Sequence, residues 1–154
     1  MNCPICGTGK AKKVRTEYRT KYDGQAVSVP DVEMFRCSNC HEDFLAPDQA
    51  ESISIAVKNA VRRASGLLAP EKIVAIRVKL HLTQVELEQL LDQGPKVVTR
   101  WESGRVIQNK NADTILRMLD RHPELVDLVR EIDAQRERAQ RRHSRTEVRE
   151  AVTA

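Results

Sequence analysis

All four cysteines of the chain fall in two Cys-x-x-Cys pairs, Cys3-Pro4-Ile5-Cys6 and Cys37-Ser38-Asn39-Cys40, and nothing else limits the accessible folds so strongly. Two residues between thiolates let backbone N–H groups turn toward sulfur in a tight knuckle, with Gly7 relieving the turn, while both sulfurs face one ion. Two knuckles together offer four thiolates at about 2.3 Å, a closed tetrahedral shell for Zn²⁺ with no position left for water. Cys3, Cys6, Cys37 and Cys40 are therefore the predicted ligands of one structural Zn²⁺ per chain. Three readings compete with this one. Two disulfides need an oxidising compartment and would waste the matched spacing. A redox Cys-x-x-Cys expects a strand and helix of an α/β fold, which this segment lacks. An iron–sulfur cluster also takes four cysteines, and against it stands the knuckle pattern. His41 follows Cys40, but with four thiolates at hand it is expected at the surface or behind the ligands.

The stretch between the knuckles is predicted to be β-rich. Val14 to Val29 alternates loosely around Tyr22-Asp23-Gly24-Gln25, an Asp-Gly hairpin signal, and a second β stretch runs from Val32 to Arg36. Phe35, Phe44 and Leu45 are its expected core. A sheet of fewer than about 50 residues cannot sustain itself by burial alone. The metal must then be structural, since such sites contribute about 10–16 kcal/mol of apparent binding free energy. An exposed edge strand of so small a sheet suits the docking of another protein.

After Pro47, Asp48 and Glu51 suggest a helix cap, and Ile53, Val57, Ala60, Val61 and Ala64 recur at helical spacing. This helix should close the first domain. Residues 65–70 read as a short hinge, and a helix from Glu71 to about His81 follows. Thr83 and Glu86 then form a Thr-x-x-Glu capping box on a helix whose apolar face is Val85, Leu87, Leu90 and Leu91. Gly94-Pro95 breaks the chain, and a second helix is expected to run to about Ser103 and stop at Gly104. Two short helices joined by a tight turn are a helix-turn-helix, whose second member enters the DNA major groove. Val97, Val98 and Trp101 should turn inward, leaving Lys96 and Arg100 (i, i+4) on a basic outer face. Charges at that spacing are common on any solvated helix, so the whole pattern carries the reading rather than the pair. A helix from about Ala112 to Arg121, capped by Asn111, and another started by Pro123 complete a bundle.

The predicted fold class is α+β with two domains. The first, over residues 1–66, is a small β-rich N-terminal domain with a closing helix, its zinc bound by the four cysteines. The second, over 67–132, is an all-α, repressor-like five-helix domain. Residues 133–154, including Arg136, Arg138, Arg141, Arg142 and Arg145, are expected to form a charged tail, a frayed helix or disordered, with little to bury. A net charge of +4 is compatible with a nucleic-acid partner. No apolar run approaches the roughly 18 residues of a membrane span, and no signal peptide precedes the first knuckle, so a soluble cytoplasmic protein is expected. No enzyme is expected either. A closed shell of four thiolates has no place for substrate, and His81, His122 and His143 have no paired nucleophile or acid.

The order Leu82-Thr83-Gln84, turn, Thr99-Arg100-x-Glu102-x-Gly104 resembles the helix-turn-helix of Xre/Cro-type repressors. Glu88 stands where that pattern has a small residue, and Asp92 where it has glycine. The resemblance implies that Gln84 touches a phosphate, that Lys96 and Arg100 read bases, and that Glu102 helps fix the end of the second helix; Thr99 and Arg105 are further candidate DNA contacts, Arg105 through a phosphate. With the cysteine pairs, Ala69-Pro70-Glu71, Arg77-x-Lys79-Leu80 and Leu119-Asp120-x-His122-Pro123-Glu124-Leu125, the chain resembles the MqsA antitoxin family over roughly residues 1–130. What that implies is a homodimeric antitoxin. Its zinc domain would neutralise a cognate ribonuclease toxin, and its helix-turn-helix would bind a palindromic operator and repress its own operon. Arg100 matches the family's base-reading arginine, whereas Lys96 replaces a base-reading asparagine, so the operator should differ. A stand-alone zinc-containing regulator with no toxin is the alternative.

Overall fold

The computed structural model describes the backbone of residues 1–152 and the side chains of residues 1–142. The chain forms two compact units, residues 1–70 with 100–108, and 71–99 with 109 onward. In the first unit, β1 (Ala11–Tyr22), β2 (Gln25–Cys37) and β3 (Asp43–Phe44) make an antiparallel sheet in that order. Tyr22 faces Gln25 across the expected Asp-Gly turn, with Asp23 and Gly24 both at positive φ, as a two-residue hairpin of right-handed twist needs.

The loose alternation of the hairpin has a physical cause. Thr16 pairs with Val32 and Tyr18 with Val29, so Glu17 alone faces both Pro30 and Asp31. The extra residue is a bulge, and proline, which has no N–H to give a ladder, is tolerated there. It shifts the side-chain parity of β2 by one, which keeps Val29 and Val32 on the same face although three positions separate them. Val29, Val32 and Met34 bury there against Val57 of α1 (Ala50–Ala64), with Val14, Tyr18, Tyr22, Leu45, Ile53 and Ala60 partly buried around them.

Two expectations fail in this unit. Phe35 and Phe44 are only half-buried: Phe35 follows core-facing Met34 and therefore points to the other face, where the two rings stack with centroids 5.8 Å apart. Of the three residues expected in the core, only Leu45 packs there. Asp48 and Glu51 do not cap α1 either. A 3-10 turn over Pro47–Gln49 precedes the helix, and Gln49 ties it down by accepting from Ala46 N (2.9 Å) and donating to Glu33 O (3.0 Å).

Five helices follow: α2 (Pro70–Lys79), α3 (Gln84–Leu90), α4 (Val97–Glu102), α5 (Lys110–Arg121) and α6 (Leu125–Val152). In the second unit Ile73, Ile76, Leu87, Val98, Leu116 and Leu119 are essentially sealed from solvent. Lys79 and Lys72 both reach Asp120, at 3.0 and 3.1 Å, and hold its carboxyl below the usual range. The cap of α5 is Asn109 rather than Asn111, its Oδ1 accepting from Ala112 N at 2.8 Å, so the helix starts earlier than expected. The segment read as a tail continues α6 without a break. Its described arginines are exposed, and Arg136 and Arg141 pair with acids three or four residues before them. The side chains of His143 and Arg145 lie outside the described residues. Among the described residues, no helix is long and apolar enough to cross a membrane.

Candidate metal centre and nucleic-acid interface

The first knuckle precedes β1 and the second ends β2, so the antiparallel register of the hairpin brings the two together. Ser38 N donates to Lys10 O, and Ala11 pairs with Cys37. The four Sγ atoms all lie within 4.8 Å of one another, with Cys3 to Cys40 at 3.8 Å and Cys6 to Cys37 at 3.6 Å. A tetrahedron with metal–sulfur bonds of about 2.3 Å has edges of about 3.8 Å. The donor set therefore fits a thiolate-bound metal in size and chemistry.

Backbone N–H groups turn inward as the knuckle spacing requires. Ile5 N reaches Cys3 Sγ and Gly9 N reaches Cys6 Sγ, both at 3.4 Å; Asn39 and Cys40 N reach Cys37 Sγ at 3.3 and 3.4 Å. The Gly9 and Thr8 N–H groups pull the Cys6 thiol down to about 5, and those of Cys40 and Asn39 lower Cys37. Cys40 is opposite: an N–H from Glu42 lowers it, but burial and three neighbouring sulfurs outweigh this and push it up to about 12. A bound cation relieves that crowding of charge, which is the electrostatic role it would fill here. His41 is exposed and outside the sulfur cluster. Sequence reasoning picked Gly7 and overlooked Gly9, where an added Cβ would lie 2.2 Å from Cys37 Sγ. The signal was legible as the small residue that lets one knuckle approach the other.

The capping box on α3 forms as expected, with Glu86 N donating to Thr83 Oγ1 (3.2 Å) and Thr83 N to Glu86 Oε2 (2.7 Å). Leu87, Leu90 and Leu91 are buried, but Val85 is 59% exposed, because the second residue of a helix whose buried face is 87, 90 and 91 lies away from it. In the turn Asp92 takes φ +50, the conformation that a glycine at this place would adopt freely. Lys96 also takes positive φ, at +61, and α4 starts only at Val97. Lys96 thus precedes the helix, and the expected i, i+4 pairing with Arg100 on one helical face does not form. Glu88 accounts for the later start: its Oε1 accepts from Val98 N at 3.1 Å and anchors the first turn there.

Lys96, Thr99 and Arg100 are exposed, while Val98 and Trp101 are buried. Thr99 Oγ1 donates to Gln84 Oε1 at 2.9 Å, so these two predicted site residues are brought together. Arg105, past the end of α4, is exposed and paired with Glu51 at 2.6 Å. One residue of consequence went unread. Arg62, the most deeply buried charged side chain described, sits at 1% exposure among the loop after α4 and donates to Gln108, Gly104 and Val106. Its spacing from Ile55 and Asn59 (i, i+4, i+7) was the available signal, since it puts the three on one helix face.

The chain has relatives among known proteins. Escherichia coli strain K12 antitoxin MqsA is 29% identical over 132 residues, which cover 84% of this chain and all of that protein. Vibrio cholerae serotype O1 antitoxin HigA-2 is 31% identical over 65 residues, 42% of this chain and 62% of the relative. A solved structure of the N-terminal domain of the E. coli protein MqsA aligns with 42% of this chain and 94% of its own, at 22% identity and a TM-score of 0.33. The family model described as the antitoxin component of a bacterial toxin-antitoxin system, MqsA, matches residues 1–130. With two thiolate knuckles, a capped α3 and an exposed Thr99-Arg100 on α4 inside that span, the chain belongs to the MqsA antitoxin family.

Proposed function

We propose that this antitoxin, a regulatory protein and not an enzyme, neutralises a cognate ribonuclease toxin through residues 1–66 and represses its own operon through residues 67–132. The observation that carries the DNA half is α4: a short helix anchored at its start by Glu88, with Val98 and Trp101 sealed inside and Thr99 and Arg100 left in solvent. Arg100 reads guanine O6 and N7, with Lys96 and Thr99 contributing to base choice. Gln84 and Arg105 contact phosphates, and these positions fix the register of the protein on the duplex. The metal is zinc, one per chain, which Cys3, Cys6, Cys37 and Cys40 hold in a closed shell whose chemistry is structural.

A homodimer would place two copies of α4 about 34–36 Å apart and so read a palindrome. Its support is an apolar groove in the second unit lined by Leu90, Ile115, Met118, Leu128, Val129 and Ile132, where Met118 and Leu128 are about half exposed. Leu116 and Leu119, on the same helix as Met118, are core. In a salt-controlled titration, Arg100→Ala is expected to cost about 1–3 kcal/mol and to relax base preference. Arg105→Ala should weaken every sequence alike. An Arg100→Ala variant that binds the promoter of its own operon with unchanged affinity would overturn the assignment of α4. The toxin half is tested by co-purification of the untagged chain with the product of the neighbouring gene. Recovery of the chain alone from cells that express both would refute it.

A further inference from the structure

Arg62 lies on α1, the helix that closes the metal-bound unit, and its guanidinium is spent on the segment that leaves α4. Nε donates to Gln108 Oε1 at 3.1 Å, Nη1 to Asn59 Oδ1 at 2.8 Å and to Gly104 O at 3.4 Å, and Nη2 to Val106 O. Val106 in turn donates its N–H to Arg100 O at 3.1 Å, and Gln108 Nε2 donates to Leu68 O at 2.7 Å. An unbroken run of hydrogen bonds therefore leads from α1 through Val106 to the backbone of Arg100. Gly104 sits between, buried, where even a Cβ would approach Ile55 Cγ2 to 2.9 Å.

A buried cation costs several kcal/mol to desolvate unless good geometry and several acceptors compensate it. For stability alone an apolar side chain would serve α1 as well, so the arginine needs a reason. A planar fork that binds two backbone carbonyls and two side-chain amides at once fixes position and angle together, which a lysine does not. We infer that Arg62 is a positioning residue for DNA reading: it sets the exit of α4, and through Val106 the placement of Arg100. At 1% exposure it cannot itself reach nucleic acid. The inference rests on the reading of α4 as the DNA-contacting helix. Its consequence is that sequence choice on DNA depends on a residue of the metal-bound unit.

The test uses the full-length, metal-loaded chain and two fluorescein-labelled duplexes. One spans the promoter upstream of its own operon, the other is a scramble of equal length and composition. Anisotropy at fixed salt gives affinities for the parent, Arg62→Lys, Arg100→Ala and the double variant. Arg62→Lys keeps the charge but cannot engage Gln108, Gly104 and Val106 together. The expected result is a loss of about tenfold on the promoter duplex and less than about twofold on the scramble, absent when Arg100 is already alanine. Equal losses on both duplexes, full additivity with Arg100→Ala, or unchanged promoter affinity each overturn the inference. If Arg100→Ala itself leaves promoter binding intact, the DNA reading of α4 falls and takes this inference with it. If Arg62→Lys does not fold, amide exchange in the parent decides. Val106 N–H must be protected like the amides of α1, and free exchange there refutes the clamp.

Discussion

A carboxylate stands at position 88, where repressor-type helix-turn-helices have a small side chain between their helices, and the structure gives it a task. Glu88 is 6% exposed and its Oε1 meets Val98 N. A helix of six residues such as α4 has most of its N–H groups in the unpaired first turn and cannot sustain itself, so an acceptor from outside matters more than on a long helix. The negative charge also opposes the helix dipole. Glu88→Ala is expected to cost about 1–3 kcal/mol in urea unfolding, because it strands a buried N–H, and to weaken promoter binding in step. Glu88→Gln keeps an acceptor and should retain much of the stability. Equal unfolding midpoints for the alanine variant and the parent would show that the contact carries no weight. Asp92 makes the companion point: an acidic residue in the glycine position simply adopts the left-handed backbone the turn demands.

Among elements, those with a strong local signal were legible. The knuckles, the Asp-Gly hairpin and the Thr83–Glu86 cap stand where local spacing put them, and the long periodic helices are present with starts that differ by a few residues. What spacing missed was set by partners distant in sequence. The parity switch at Pro30 and Asp31 needs β1 opposite to be seen as a bulge, and this is why Phe35 rather than Val32 looked like core. The start of α4 is fixed by Glu88 and the exit by Arg62, ten and more than forty residues away. On α5 and α6, burial divides the apolar residues between two roles. Leu116 and Leu119 fill the unit's own interior, while Met118 and Leu128 stay half exposed. If that remaining stripe joins two chains, Leu128→Asp should reduce the mass measured by light scattering to that of one chain without lowering the thermal melting of the monomer. Unchanged mass would move the dimer contact elsewhere.

For the whole molecule, a chain with 3% aromatic and 31% charged residues has little apolar surface to spare, and it is unevenly shared. The core cluster of the first unit has only Val29, Val32, Met34 and Val57 fully buried, too few to close a long hairpin without help. A metal held by the four thiolates would supply the rest, and because residues 100–108 belong to this unit, its effect would extend beyond the sheet. Removing the metal with a chelator under reducing conditions is expected to abolish amide protection in β1 and β2. It should also loosen Gly104 and Val106, whose partner Arg62 depends on α1 staying packed on that sheet. Helices α2, α3 and α5 should keep their protection, since their buried leucines and isoleucines are independent of the thiolates. Hydrogen exchange followed residue by residue separates the outcomes. If Val106 stays protected while the hairpin opens, the loop after α4 does not depend on the sheet. If the hairpin itself stays protected, or the folded chain holds well under one zinc, the metal is not what sustains this unit.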